Sequence, residues 1–373
     1  MESSRPLRII ISGGGTGGHI FPAISIANAI RQQRPDTEIL FVGALGRMEM
    51  QRVPAAGYEI VGLPVAGFDR KNMLKNIPVL WKLVRSLWMA RSIVSKFRPD
   101  VAVGVGGYAS GPTLKMAASM GVPTLLQEQN SYAGVTNKQL AESARKICVA
   151  YDGMERFFPA EKIIKTGNPV RQNLLDSTIS HEEAVLSFGL DPARRTILII
   201  GGSLGARTIN ESVLQHLDLI RQDKHVQIIW QTGKAYSQEI HERLNKEAER
   251  PAHLFVTDFI ANMDAAYAAA DLVISRAGAS SISELCLLHK PCILVPSPNV
   301  AEDHQTKNAQ ALSTRGAALM VKDAEARDTL IPLAIQTATN PAQLLSLGEH
   351  AGKLAYHRSA EIIAEEVLKL VRG

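Results

Sequence analysis

One local design occurs twice in this chain, about 190 residues apart. Leu7–Ile11, an unbroken apolar run, leads into Gly13-Gly14-Gly15-Thr16-Gly17-Gly18-His19. Ile197–Ile200 leads into Gly201-Gly202-Ser203-Leu204-Gly205-Ala206. A short aliphatic run that passes through glycines into a helical pattern is a buried strand handing over to a helix by a tight turn. Such a turn presents backbone N–H groups at the positive end of a helix, which suits a phosphate or diphosphate. Two copies so far apart predict two nucleotide-type α/β domains with a cleft between them. A cleft of that kind needs two substrates, which points towards group transfer.

The rest of the pattern agrees. Strands are expected at Leu7–Ile11, Glu38–Val42, Val101–Val105, Thr124–Gln127 and Lys146–Val149, with helices at Pro22–Gln33, Thr113–Met120 and Thr136–Ala144 between them. The second half repeats the plan, with strands at Thr196–Ile200, Val226–Gln231, His253–Val256, Leu272–Ser275, Cys292–Val295 and Ala318–Val321. Alternating β and α with fully apolar strands implies parallel sheets with crossover helices. Thr166–Val170 interrupts the pattern with Gly, Asn and Pro and is the expected hinge. The boundaries expected are 1–168, 169–350 and a final amphipathic helix within 351–373.

Length and composition bound the class. The chain has 373 residues, 46% apolar and 21% charged, as for a soluble globular protein with two ordinary cores. No run of eighteen apolar residues predicts a membrane span, and residues 1–6 lack the layout of a secretory signal. Cys148, Cys286 and Cys292 have no metal-ligand spacing and read as reduced, buried thiols of a cytoplasmic protein. Basic residues outnumber acidic ones by nine across residues 1–168, whereas the remainder is net acidic by four. The first half is therefore the side expected to face something anionic.

Several motifs sit where strands end. Gly13-x-Gly15-x-x-Gly18 matches the spacing of a dinucleotide turn, but the second strand ends Phe41-Val42-Gly43-Ala44 without the acid that fingerprint needs. Gly104–Pro112, which includes Gly106, Gly107 and Tyr108, suits close backbone approach to a ligand or a crowded strand–helix junction equally. Arg276–Glu284 offers Ser280, Ser281 and Ser283 to a phosphate and Glu284 to ribose hydroxyls; Ser281-x-x-Glu284 also reads as a capping box. Asp303–Asn308 could hold sugar hydroxyls or simply start a helix. No Asp-x-Asp motif occurs, so no metal and no cofactor is expected. His19, at a helix N-terminus where the dipole favours the neutral imidazole, is the candidate general base, with Glu128 in reserve as base or orienting group.

Residues 70–98 carry eight Lys or Arg, no acid, and two of the three tryptophans, Trp81 and Trp88. Asn76 is the expected cap, with Pro78 in the first turn. Leu80, Leu83, Val84 and Leu87 form the expected core stripe, and Ile77, Trp81 and Trp88 widen it beyond what one core needs. The surplus suits an anionic membrane surface; the competing reading is a buried helix with basic flanks. A nucleic-acid partner is not expected, because no recognisable module is present.

Taken in order, Gly13–His19, the Gly-Val-Gly-Gly-Tyr-Ala-Ser-Gly-Pro run, Gln127–Asn130, Gly167–Arg171, Gly201–Ala206, Arg276–Glu284 and Asp303–Ala309 resemble the MurG family, peptidoglycan N-acetylglucosaminyltransferases that convert lipid I to lipid II. The resemblance implies a GT-B architecture, two Rossmann-like domains facing a central cleft, and peripheral association with the cytoplasmic face of the bacterial inner membrane. It implies UDP-N-acetylglucosamine on the second domain, the lipid I acceptor on the first, and the final helix crossing back to the first. By motif position, Thr16, Gly17, Gly18 and Asn130 would contact the donor from the first domain. Arg171 and Ser203 would hold the diphosphate, and Ile260 would meet uracil through its backbone. Ala279, Ser280, Ser281, Ile282, Ser283 and Glu284 would line the nucleotide pocket, with Glu284 on ribose. Gln305 would bind the sugar, and Gly106, Gly107 and Tyr108 belong to the acceptor side. The family often carries a second Gln just before that sugar-binding one, where this chain has His304. The alternatives are another GT-B enzyme using a UDP-sugar, such as a glycolipid synthase or an epimerase, and a non-catalytic nucleotide-sugar-binding protein.

Overall fold

The aliphatic run at the start of the chain becomes β1 (Arg8–Ser12), in which Ile9, Ile10 and Ile11 are all fully buried. A strand apolar at successive positions has no solvent face, so helices must cover both sides of its sheet. The computed structural model describes residues 5–65, 77–170, 174, 176–202, 204–246, 251–300 and 303–371. They form two compact units, Met1–Arg171 with His357–Gly373, and Gln172–Tyr356.

The first unit holds a parallel sheet of β1, β2 (Glu38–Ala44), β3 (Glu59–Leu63), β4 (Val101–Gly104), β5 (Thr124–Glu128), β6 (Lys146–Val149) and β7 (Ile163–Lys165), in the order β3-β2-β1-β4-β5-β6-β7. Its helices are α1 (Gly17–Gln33), α2 (Glu49–Ala55), α3 (Ile77–Phe97), α4 (Ser110–Ser119) and α5 (Val135–Leu140). Edge strands β3 and β7 were not expected from the sequence; only two of five residues in β3 and none of the three in β7 are buried, so neither reads as a core strand. Helix α1 begins at Gly17, a full turn before Pro22. Proline there gives up only the bond to the Gly18 carbonyl, and the early start puts His19 in the first turn.

The second unit repeats the plan with β8 (Arg195–Ile200), β9 (Val226–Gln231), β10 (Leu254–Thr257), β11 (Leu272–Ser275), β12 (Cys292–Leu294) and β13 (Leu319–Met320), ordered β10-β9-β8-β11-β12-β13 and parallel throughout. Its helices are α6 (His181–Ser187), α7 (Arg207–Gln215), α8 (Leu217–Gln222), α9 (Ser237–Leu244), α10 (Met263–Ala269), α11 (Ala279–Leu287), α12 (His304–Ser313), α13 (Asp323–Ala338) and α14 (Pro341–Lys353). The last helix, α15 (Ser359–Val371), belongs to the first unit, where Ile363, Ala364 and Val367 share a core with Ile9, Ile26 and Ile30.

Unit boundaries fall three and six residues later than the sequence pattern suggested. Asn168 is tied into the first unit: it accepts from Gln127 Nε2 at 3.0 Å and donates to the Gln129 carbonyl at 3.0 Å. Ser25 Oγ donates to the Val170 carbonyl at 2.9 Å. These bonds bury the polar Gly-Asn-Pro stretch against β5 and α1, so the chain leaves the unit only after Val170. At the other end α14 runs on to Lys353, and Ala351 is fully buried in the core of the second unit.

Helix α3 is rotated relative to the expected stripe. Among the described side chains of α3, which do not include Ile77, Pro78 and the expected stripe residue Leu80, the deeply buried ones are Ser86, Ala90 and Val94, whereas Val84 is exposed; the small Ser86 and Ala90 let the helix lie close to its neighbours. Leu83 and Leu87 are half-buried, Trp81 is 74% exposed and Trp88 78%. Residues 70–76, and with them the expected cap Asn76, lie outside the described residues. All three cysteines are buried free thiols.

Candidate active site

In an open parallel sheet, ligands bind beyond the carboxyl ends of the strands at the point where strand order reverses. That point lies between β1 and β4 in the first unit and between β8 and β11 in the second. Gly13–His19, Gly104–Pro112, Gly201–Ala206 and Arg276–Glu284 occupy those four strand ends, and the remaining motifs follow neighbouring strands.

In the first unit the loops after β1 and β4 press together. Gly107 has φ +87°, and a Cβ there would stand 2.3 Å from the Gly14 carbonyl oxygen. Only glycine meets both the left-handed backbone and that approach. Next to it, a Cβ on Gly106 would lie 3.0 Å from His19 Nε2. The His19 ring thus rests against bare backbone, and its Nδ1 is 3.2 Å from Thr16 Oγ1. Thr16 makes no side-chain cap to α1; its hydroxyl faces the imidazole instead. Tyr108, 55% exposed, leads from this contact to a groove of about 950 Å³ between α3, α4 and α5, whose lining includes Leu83, Leu87 and Lys115.

The acid missing from the end of β2 comes from five residues further on. Glu49, in the first turn of α2, is fully buried, and its carboxylate accepts from Gly15 N at 3.1 and 3.0 Å and from Ala44 N at 2.9 Å. The first glycine loop was expected to present free N–H groups to a phosphate. Its Gly15 N–H is instead spent on an internal negative charge. Sequence reasoning missed Glu49 because the fingerprint places the acid at the end of the strand, not at the start of the helix that follows.

Glu128 ends β5 and is 2% exposed. Its Oε1 accepts from Asn130 N at 3.0 Å and Asn130 Nδ2 at 3.3 Å; its Oε2 accepts from Gly134 N at 3.0 Å and Asn137 Nδ2 at 2.9 Å. Burial pushes its carboxyl up, and the four donors oppose that. The carboxylate folds the loop 129–134 back onto α5 and so fixes Asn130. Buried Gln129 donates to the Val105 carbonyl at 2.8 Å and to Gln127 Oε1, coupling this loop to the β4 loop beside His19.

In the second unit the glycine loop packs on the turn after β9. A Cβ on Gly233 (φ +80°) would lie 2.1 Å from Gly205 N, so two backbones touch here. Gly233 N in turn donates to the Asp258 carbonyl at 3.1 Å, which brings the Asp258–Ile260 turn alongside. Neither α7, behind N-cap Ala206, nor α11, behind N-cap Gly278, has a side-chain cap. Among the described residues no carboxylate accepts from the amides of 201, 202, 204, 205 and 206. Two uncapped helix N-termini therefore open at one switch point, the arrangement that attracts a diphosphate.

The capping box expected at Ser281 and Glu284 does not form, because α11 starts two residues before Ser281. Ser283 Oγ bonds back to the Ala279 carbonyl at 3.0 Å, and Ser280 Oγ is buried without a partner. Glu284, 5% exposed, accepts from the Tyr267 hydroxyl at 2.9 Å. Ala279 and Ile282 are buried, Ser281 half-buried, and the Ile260 side chain is buried at 4% exposure, which leaves its backbone as the group on offer. Gln305, in the first turn of α12 after His304, accepts through Oε1 from Ser297 N at 2.9 Å and ties that helix start to the loop after β12. Arg171 and Ser203 lie outside the described residues.

Residues 9–149 match the glycosyltransferase family 28 N-terminal domain, and residues 196–366 the family 28 C-terminal domain. A UDP-N-acetylglucosamine--N-acetylmuramyl-(pentapeptide) pyrophosphoryl-undecaprenol N-acetylglucosamine transferase from Bacteroides fragilis is 68% identical over 98% of this chain and 96% of its own length. The chain belongs to the MurG family of glycosyltransferases. A Porphyromonas gingivalis member with the same name is 56% identical over 99% of this chain and 97% of its own. The crystal structure of Acinetobacter baumannii MurG superimposes with a TM-score of 0.75 at 27% identity, covering 98% of this chain and all of the other. The two parallel Rossmann-like sheets are the GT-B fold of that family.

Proposed function

We propose that this chain transfers N-acetylglucosamine from UDP-N-acetylglucosamine to the 4-hydroxyl of the muramoyl unit of lipid I, giving lipid II and UDP. The names of its relatives describe a transfer between those partners. The observation in the chain itself that carries the reading is the unequal state of its two glycine loops. A diphosphate at the first would meet the Glu49 carboxylate behind Gly15; at the second it would meet the uncapped starts of α7 and α11. The donor accordingly belongs to the second unit. Arg171 and Ser203 would hold its diphosphate, Ile260 the uracil, Ala279–Glu284 the nucleoside, and Gln305 the sugar. Thr16, Gly17, Gly18 and Asn130 would reach the donor from the first unit.

The reaction is a single in-line displacement with inversion, UDP leaving as the acceptor oxygen arrives. Fixed dipoles at the α7 and α11 starts would meet the charge developing on UDP. His19 takes the hydroxyl proton. In the tautomer whose Nδ1–H donates to Thr16 Oγ1, Nε2 carries the lone pair that would accept it, beside the Gly106 backbone. Glu128, with both oxygens engaged by four donors, acts by holding Asn130 in place. Gly106, Gly107 and Tyr108 serve the acceptor.

No helix among the described residues is long and apolar enough to cross a membrane. Trp81, Val84 and Trp88 are exposed on α3 among exposed Lys82, Arg85 and Arg91, a combination that suits the anionic cytoplasmic surface of the inner membrane. UDP release, measured with and without a short-chain lipid I analogue, tests the activity. Release that requires the analogue, with label appearing in a disaccharide lipid, is the expected result. Acceptor-independent turnover, epimerisation of the donor, or binding without turnover would each refute it. His19→Ala with near-normal kcat at saturating substrates would remove His19 as the base.

A further inference from the structure

We propose that Tyr267 is a positioning residue for uridine recognition, its hydroxyl holding Glu284 in the orientation that receives the ribose. The inference rests on the reading that Glu284 meets ribose hydroxyls. Tyr267 stands on α10, 2% exposed, inside an apolar core that includes Ile260, Ile282 and Leu285. A phenol placed among such residues costs stability unless its hydroxyl is bonded, and phenylalanine would fill the space without that cost. The hydroxyl donates to Glu284 Oε2 at 2.9 Å. A carboxylate that is 5% exposed and bonded to a buried phenol is held in one rotamer.

The second part of the argument is where α10 begins. It starts at Met263, directly after the Asp258–Ile260 turn, and the Ala266 N–H closes its first turn on the Asn262 carbonyl at 3.2 Å. One short helix thus carries the turn assigned to uracil at its start and, one turn later, the hydroxyl that reaches the group assigned to ribose. Ile260, Tyr267 and Ile282 share a core, so the spacing between base and ribose contacts is fixed by packing and aimed by the Tyr267–Glu284 hydrogen bond. The base turn and the ribose carboxylate come from different strand–helix units, and Tyr267 links them.

The test compares UDP-N-acetylglucosamine with its 2′,3′-dideoxyribose analogue in steady-state kinetics of the full-length enzyme, for wild type, Tyr267→Phe, Glu284→Gln and the double variant. Tyr267→Phe should raise the donor KM about ten-fold for the ribose donor, with kcat within two-fold and little change for the dideoxy donor. Added to Glu284→Gln it should do nothing further. If Tyr267→Phe raised KM equally for both donors, or for neither, the positioning role would be overturned and the hydroxyl would serve only the core. If Glu284→Gln itself kept the wild-type preference for ribose, the ribose assignment would fail, and the inference with it. Should Tyr267→Phe not fold, Tyr267→Leu provides the second arm, an apolar residue without a hydroxyl beside an intact Glu284, and must lose ribose preference in the same way.

Discussion

Glu128→Gln separates two chemistries that one residue could perform. Four N–H donors converge on this buried carboxylate; the backbone N–H groups of Asn130 and Gly134 can never offer a lone pair in return, whereas the side-chain amides of Asn130 and Asn137 can. Glutamine keeps one acceptor oxygen and brings two hydrogens where the other stood. If the new amide replaces Oε2, Asn137 can rotate to offer its Oδ1, which is buried without a partner. That rotation gives up the Asn137 bond to the Gln127 carbonyl, and the Gly134 N–H is left unpaired in any case. One unsatisfied buried donor and one lost bond cost about 2–3 kcal/mol together. For a unit of roughly 150–250 residues this lowers Tm by about 4–12 °C. Thermal denaturation by circular dichroism reads the shift directly. Because the loop carries Asn130, the donor KM should rise several-fold while kcat falls modestly. A Tm unchanged within 1 °C, with kcat down by about three orders of magnitude, would refute the clamp and reinstate Glu128 as the proton acceptor.

Three further outcomes are expected. Burial pushes the Cys148 thiol up to about 12 while an unfolded thiol ionises near 9, so between those values the folded state binds more protons; stability is complete below pH 9 and falls as pH rises through the window, and Cys148→Ala should flatten that alkaline decline in urea titrations at pH 8, 9 and 10, whereas parallel curves would contradict the assignment. Gly107→Ala forces a side chain to within 2.3 Å of the Gly14 carbonyl at φ +87°, so it should cost about 2 kcal/mol or more and lower kcat/KM at least about ten-fold; an active, equally stable variant would show that the two loops do not need this contact. Replacing Trp81 and Trp88 by Ser should weaken binding to vesicles containing anionic lipid by more than about ten-fold and leave turnover of a soluble short-chain acceptor intact; unchanged vesicle binding would remove α3 from the membrane face.

How far the sequence could be read depended on whether a feature was local. The aliphatic strands were legible because a strand buried on both faces must be apolar at every position, as Ile9–Ile11 and Ile197–Ile199 are. Their parallel pairing followed from the helices between them. Edge strand β7 was not legible, since none of its three residues is buried. The stripe on α3 was misplaced for a related reason. Hydropathy favours Leu83, Val84 and Leu87 as its inner face, but close packing selected the small Ser86 and Ala90 and left Val84 outside.

The sequence by itself determined that glycine-rich turns follow β1, β4 and β8, and that His19, Tyr108 and the Ser280–Glu284 run stand at strand ends. It also marked the tryptophans of a basic helix. It left the two glycine loops equivalent as phosphate cradles. Only the tertiary structure made them different, because the group that decides is remote in the chain: Glu49, from the helix after β2, closes on Gly15, whereas the second loop packs backbone against backbone on Gly233. A backbone N–H binds whatever acceptor reaches it first, and no local pattern records which acceptor the fold brings.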